Sequence, residues 1–256
     1  MIADAEEQPS GGDVPITHRR VGLLVPPANP VAEPETTYLL NAFRTVHTAR
    51  FPVMGGPLPT RLKAYNHMLP DIIGSFGGLS LDTVVVGCSG SRYLMRPEED
   101  EASCQALSRR WGMPVATATF ATRRILQRLR PRELVLVSPY QPWLTELARR
   151  FWRRAGWVVR VVPIQAAGRY APYEVDPRDL VDQVEHARLA EDAVLLCTGT
   201  GMATLAALPP LAAGNDRVLL TSNICGAWWA LHQTGDAASD DLPWALRRLA
   251  SQGLTP

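Results

Sequence analysis

Two apolar runs in this chain end in the same way. Val84-Val85-Val86-Gly87-Cys88-Ser89-Gly90-Ser91 and Val194-Leu195-Leu196-Cys197-Thr198-Gly199-Thr200-Gly201 each reach a cysteine and open into small, hydroxyl-bearing residues. A continuous apolar run bounded by glycine reads as a strand buried on both faces, as in a parallel sheet. Ligands of open α/β sheets sit outside the carboxyl ends of such strands. Both cysteines are therefore expected at the chemical edge of a sheet, facing each other across one pocket.

The rest of the chain alternates strand and helix patterns. Val21 to Val25 reads as a strand that stops in Pro26-Pro27-Ala28-Asn29-Pro30, where proline can neither continue a ladder nor sit early in a helix. A helix is expected over 33–43, strand and loop over 44–60, and a helix over 61–79. The strand to Cys88 follows, then a helix over 98–111 capped by Gly112, a short strand over 113–116 and a helix over 119–129. The pattern then restarts. Leu134 to Val137 is a strand ending in Ser138-Pro139-Tyr140. Helices are expected over 144–155, 177–189, 204–212, 227–233 and 242–251, with strands over 158–163, 193–196 and 217–221.

Pro26 and Cys88 lie 62 positions apart, Pro139 and Cys197 58. This near-match predicts an internal duplication. Strands alternating with helices predict parallel sheets with right-handed crossovers. The fold class expected is α/β, with two pseudo-symmetric doubly wound, Rossmann-like lobes and the site in the cleft between them. The division expected is a disordered tail over 1–17, a first lobe of 18–116 plus 222–256, and a second lobe of 117–221.

Composition narrows the function. The net charge of +1 over 256 residues offers no field for nucleic acid or an anionic membrane. The basic residues Arg149, Arg150, Arg153 and Arg154 have no aromatic interleaved on their face of the helix and read as a solvated surface. No apolar run reaches the ~18 residues of a membrane span, and the polar, acidic start is no secretory signal, so the expected location is cytoplasmic. Lys63 is the only lysine, which rules out a G-K-[ST] phosphate loop. The four cysteines, Cys88, Cys104, Cys197 and Cys225, form no C-x-x-C pair, so neither a zinc site nor a disulfide frame is expected. No metal and no cofactor are expected.

A lone cysteine ending a buried strand reads first as a small core hydrophobe. Its occurrence at matching places in two repeats turns the reading of Cys88 and Cys197 towards catalysis, with a thiol pKa lowered at a helix start. Cys104, within a helix, reads as packing, and so does Cys225, at a helix start. Ser89, Gly90, Thr198 and Gly199 offer hydroxyls and backbone N–H groups to a carboxylate or enolate. Asn29 and Tyr140, after the first strand of each half, are further donors, although a turn residue and a cleft-lining aromatic would look the same. Gly87-Cys88-Ser89-Gly90-Ser91 falls one glycine short of a G-x-S-x-G hydrolase elbow. The segment from Gly199 to Thr204 lacks the third glycine and the distant acid of a dinucleotide loop.

VGLLVPPANPVAEPE from Val21, GCSGS from Gly87, Ser138-Pro139-Tyr140, LLCTG from Leu195 and TSNICGAWWAL from Thr221 together resemble the Asp/Glu racemase superfamily. The branch resembled holds maleate cis–trans isomerase and arylmalonate decarboxylase, and the resemblance spans about residues 19–235. It implies two lobes, no cofactor, a small carboxylate substrate, and a cysteine pair matching Cys88 and Cys197. Racemases of the family use two cysteines on opposite faces of the substrate. The isomerases keep both, and one adds to the double bond. The decarboxylases keep only the cysteine matching Cys197, with glycine where Cys88 stands. Asn29, Tyr140 and the loops after both cysteines match carboxylate-binding positions. Arg169 stands near a position where the isomerases carry asparagine, and Trp228 and Trp229 are candidates for enlarging the pocket. The expectation is a two-cysteine isomerase or racemase, with an arylmalonate-type decarboxylase acting through Cys197 as the alternative. Homo-oligomerisation is compatible with this reading.

Overall fold

A computed structural model describes residues 19–40, 44–164, 171–190, 192–235 and 242–256. The expected tail over 1–17 and Arg169 lie outside the described residues.

The first half holds β1 (Arg20–Val25), α1 (Ala32–Leu40), β2 (Thr45–Arg50), α2 (Leu58–Gly74), β3 (Thr83–Val86), α3 (Ser89–Arg92), α4 (Pro97–Trp111), β4 (Val115–Thr117) and α5 (Ala118–Leu129). The second holds β5 (Leu134–Ser138), α6 (Pro142–Arg154), β6 (Val159–Pro163), α7 (Pro177–His186), β7 (Val194–Cys197), α8 (Leu208–Ala212) and β8 (Leu219–Thr221). Helices α9 (Ser222–Thr234) and α10 (Trp244–Ser251) close the chain. Two four-stranded sheets result, in the orders β2-β1-β3-β4 and β6-β5-β7-β8, and the strand pairings in both are parallel. This is the expected duplicated α/β architecture.

The central strands are buried because they are apolar on both faces. Val84, Val85 and Val86 in β3 and Val194, Leu195 and Leu196 in β7 are all in the core. Each such side chain contributes about 1.5–3 kcal/mol relative to an exposed one. The two halves also cap their last helices alike. The Thr117 hydroxyl accepts from the Phe120 N–H at the start of α5, and the Thr221 hydroxyl accepts from the Ile224 N–H at the start of α9.

Helix α9 departs from expectation, beginning at Ser222 rather than Ala227, so Cys225 lies inside it and is buried. It packs on α1, α5 and β3. A Cβ on Gly226 would lie 3.0 Å from Val85 Cγ1, so this close approach favours the glycine. The expected helix over 204–212 shortens to α8. The N–H groups of Thr204 and Leu205 are instead held by the Glu35 carboxylate, at 2.8 and 3.1 Å, which keeps that segment out of a helix. Among the described residues no helix is long and apolar enough to cross a membrane.

Candidate active site

A cleft of about 250 Å³ opens at the carboxyl ends of β1, β3, β5 and β7. The loop after β1 contributes Pro26, Pro27, Ala28 and Asn29. Helix α2 contributes Leu58, Arg61, Leu62 and Tyr65. The loop after β3 contributes Cys88, Ser89 and Gly90, and the second half adds Tyr140, Pro172, Tyr173, Gly199, Thr200 and Gly201. Six of the eight sequence-predicted residues are therefore brought together: Asn29, Cys88, Ser89, Gly90, Tyr140 and Gly199. Cys197 and Thr198 are not among the lining residues.

Strand register gives the reason. In the first sheet Leu24 pairs with Val86, and the Gly87 N–H donates to the Leu24 carbonyl. In the second, Val137 pairs with Cys197, and the Thr198 N–H donates to the Val137 carbonyl. The outer pairs agree, since Val86 pairs with Thr117 and Cys197 with Thr221, the two capping threonines. Val86 therefore corresponds to Cys197, Gly87 to Thr198, and Cys88 to Gly199. The sequence reading matched cysteine with cysteine, whereas the hydrogen bonds match cysteine with glycine. Cys197 is the last residue of β7 and 1% exposed. Burial and the charge of nearby Glu35 push its thiol up to about 12. The buried Thr198 hydroxyl is bonded to the Tyr93 hydroxyl at 2.6 Å, and the Trp152 indole donates to the same tyrosine at 3.3 Å.

Cys88 sits immediately before α3, a single turn. Desolvation raises its thiol pKa. Hydrogen bonds from the Ser91 hydroxyl and N–H, and the charge of Arg92, oppose the rise without cancelling it. The lowered value expected at a helix start is not what the site produces, because burial outweighs four residues of helix.

The loops are braced across the two halves. Asn29 Oδ1 accepts from the N–H groups of Val31 and Ala32, both at 3.0 Å, and its Nδ2 donates to Thr200 Oγ1 at 3.0 Å. Thr200 Oγ1 in turn donates to the Gly87 carbonyl at 2.7 Å. Asn29 is thus chiefly a brace, with one Nδ2 hydrogen beyond these bonds. Ser222 Oγ accepts from Ser89 Oγ at 3.1 Å and from the Gly199 N–H at 3.2 Å. Asn223 Nδ2 bonds Glu35 Oε2 at 2.7 Å and the Thr200 carbonyl at 3.1 Å. Burial raises the Glu35 pKa against these bonds. Through Glu35, helix α1 holds both the loop after β7 and the start of α9.

Arg61 and Tyr65 were missed by the sequence reading. Their signal is the spacing of positions 58, 61, 62 and 65, one face of a helix. Tyr65 stacks on Phe51 with ring centroids 4.6 Å apart, and burial raises its hydroxyl pKa. Trp228 and Trp229 do not reach the cleft. The Trp228 indole donates to the Leu254 carbonyl and its ring stacks on His232, while Trp229 lines a separate groove beside Phe120. Among the described residues no group of three His, Cys, Asp or Glu side chains is placed to hold a metal ion.

No protein-family model matches this chain, and no curated protein matches it. Solved structures do. The maleate isomerase Iso from Pseudomonas putida S16 superposes with a TM-score of 0.76 at 20% identity, over 84% of this chain and 92% of that one. A cysteine-to-serine mutant of Nocardia farcinica maleate cis–trans isomerase, carrying a covalently bound succinylcysteine intermediate, gives 0.75 at 19% identity over 84% and 92%. A liganded arylmalonate decarboxylase with one glycine-to-cysteine and one cysteine-to-serine substitution gives 0.75 at 22% identity over 86% and 94%. The fold of this chain is the fold these proteins share.

Proposed function

We propose that this chain, which has the fold of the maleate isomerase and arylmalonate decarboxylase branch of the Asp/Glu racemase superfamily, is a cofactor-independent enzyme acting on a small carboxylic acid. Cys88 is its one reacting thiol. The observation that carries this reading is the correspondence of Cys88 with Gly199 across the cleft. A two-thiol racemase needs a sulfur on each face of the substrate carbon. A cysteine opposite a glycine serves one face.

One-sided proton delivery suits decarboxylation best. A bond from the α-carbon to a departing carboxylate breaks, CO₂ leaves, and the electron pair passes into the retained carboxylate as an enediolate. The Cys88 S–H then gives its proton to the α-carbon, and solvent reprotonates the thiolate. The N–H groups of Ser89 and Gly90, in the first turn of α3, have no acceptor within that helix and serve the enediolate oxygens. Burial keeps Cys88 protonated at neutral pH, as a proton donor requires and a resting thiolate nucleophile does not. Prolines, leucines and tyrosines on the cleft wall give the departing carboxylate a poorly solvating surface.

A second reading is cis–trans isomerisation, in which Cys88 adds to a conjugated double bond, the new single bond rotates and the thiol is eliminated. The covalent succinylcysteine of the Nocardia isomerase, which shares this fold, favours it. Incubation with arylmalonates, maleate, amino acids and hydantoins in deuterated water, followed by proton NMR, tests both. The expected result is CO₂ release with one deuteron on the product α-carbon. Conversion of maleate to fumarate alone would replace the first reading by the second. Inertness towards the whole panel would overturn both.

A further inference from the structure

We infer that Arg61 receives the substrate carboxylate on which charge accumulates, and so sets the preference of the cleft for acids. Arg61 lies one turn before Tyr65, on the face of α2 that also presents Leu58 and Leu62 to the cleft. It is the only formally charged side chain among the described lining residues. Its Nε is buried without a hydrogen-bond partner, and its guanidinium forms no hydrogen bond or ion pair among the described residues.

Other arginines with an unpartnered buried nitrogen bond elsewhere. Arg92 pairs with Asp100 and Asn66, Arg123 with Glu101, Arg217 with the carbonyls of Leu189 and Ala190, and Arg248 with those of Asn215 and Arg217. A guanidinium that lines a cleft with its Nε buried and unpaired has its fork open to an anion.

The helix that carries Arg61 is fixed to the Cys88 loop. Asn66 Nδ2 donates to the Ser91 carbonyl at 2.8 Å, and a Cβ on Gly90 would lie 3.7 Å from a Leu62 methyl. Arg61, Tyr65 and Cys88 all line the cleft, which puts guanidinium and thiol around one space. A carboxylate against Arg61 is therefore in place to take up the electron pair while Cys88 delivers its proton nearby. The inference rests on the proposed function only in that the reaction loads an electron pair onto a carboxylate, which decarboxylation and thiol addition both do.

The test is calorimetric titration of the intact protein with phenylacetate and with its neutral counterpart, phenylacetamide. The variants are Arg61→Gln, Arg61→Lys and Arg61→Met, each checked by thermal unfolding. Arg61→Gln is expected to weaken phenylacetate about tenfold or more and to change phenylacetamide by less than about twofold. Arg61→Lys, which keeps the charge and loses the fork, should fall between. If Arg61→Gln does not fold, Arg61→Met carries the same comparison. Equal loss of both ligands, no loss of either, or no phenylacetate binding to the parent protein overturns the inference. Arg61-dependent binding without turnover would overturn the proposed function and leave this one standing; turnover with Arg61-independent binding would do the reverse.

Discussion

The loop after β3 and the loop after β7 hold corresponding places in the two sheets but differ in backbone and in chemistry: the first turns into α3, the second does not. Both follow a central strand, and both line one cleft: Cys88-Ser89-Gly90 on one side, Gly199-Thr200-Gly201 on the other. Serine matches threonine and glycine matches glycine, while thiol matches bare backbone. Gly199 has φ +94°, and a Cβ there would lie 3.2 Å from the Tyr140 hydroxyl and 3.3 Å from Pro139 Cγ. The second half has built its loop around the lack of a side chain. The first half places a thiol at the same point and holds it with Ser91. Duplication of a fold therefore keeps the place of the loop and leaves each half free to keep or lose the thiol.

Removal of the thiol is the severest test of this asymmetry. Cys88→Ala should lower turnover by about 10²–10⁴-fold, the usual worth of a positioned proton donor, with thermal unfolding little changed. Steady-state kinetics beside a melting curve measure both, and a variant with near-parental turnover would remove Cys88 from the mechanism.

The pH profile comes next. A neutral acid with a raised pKa works while it holds its proton, so the rate should stay level through neutral pH. It should decline about tenfold per unit only above the ordinary thiol range. A rate that climbs from pH 7 to 9 would instead mark a thiolate nucleophile. Stability should also fall at alkaline pH. In the unfolded chain the thiols ionise near their ordinary value, whereas folded Cys104, Cys197 and Cys225 hold their protons to about 12. The unfolded state then binds fewer protons than the native one, and unfolding is favoured as pH rises through that window. Urea melts between pH 8 and 10 measure this, and unchanged midpoints would contradict it.

Making the halves alike should be costly. Gly199→Cys forces a side chain onto a left-handed backbone and against Tyr140, at roughly 1–3 kcal/mol. A lower urea midpoint is the expected reading, and unchanged stability would mean that the loop re-forms. The smallest effect belongs to Cys197. Cys197→Val restores the residue found at the corresponding Val86 and should shift stability by less than about 1.5 kcal/mol with turnover unaltered. Loss of turnover in a folded Cys197→Val protein would return Cys197 to the site and undo the comparison.

Much of this was legible in the chain. Apolar runs and their proline or glycine stops place seven of the eight strands among the described residues to within two positions, and β2 falls inside the stretch expected as strand and loop. Asn29, Ser89, Gly90, Tyr140 and Gly199 were found from their places at strand ends, and all line the cleft. Arg61 and Tyr65 were not, because a helix sequence gives a stripe and not what the stripe faces. The loop match of Ser89-Gly90 with Thr200-Gly201 was present in the sequence, but two cysteines drew the alignment two positions away.

The sequence alone determined the α/β class, the duplication and the edge of the sheets at which the site lies. These follow from apolar periodicity and turn chemistry, which are local and repeat along the chain. Only the tertiary structure decided which cysteine meets the cleft. That choice rests on where β7 stops pairing with β5, at the bond from the Thr198 N–H to the Val137 carbonyl. A backbone hydrogen bond between residues 61 positions apart leaves no mark on either side chain, yet it puts Gly199 at the cleft and Cys197 in the core.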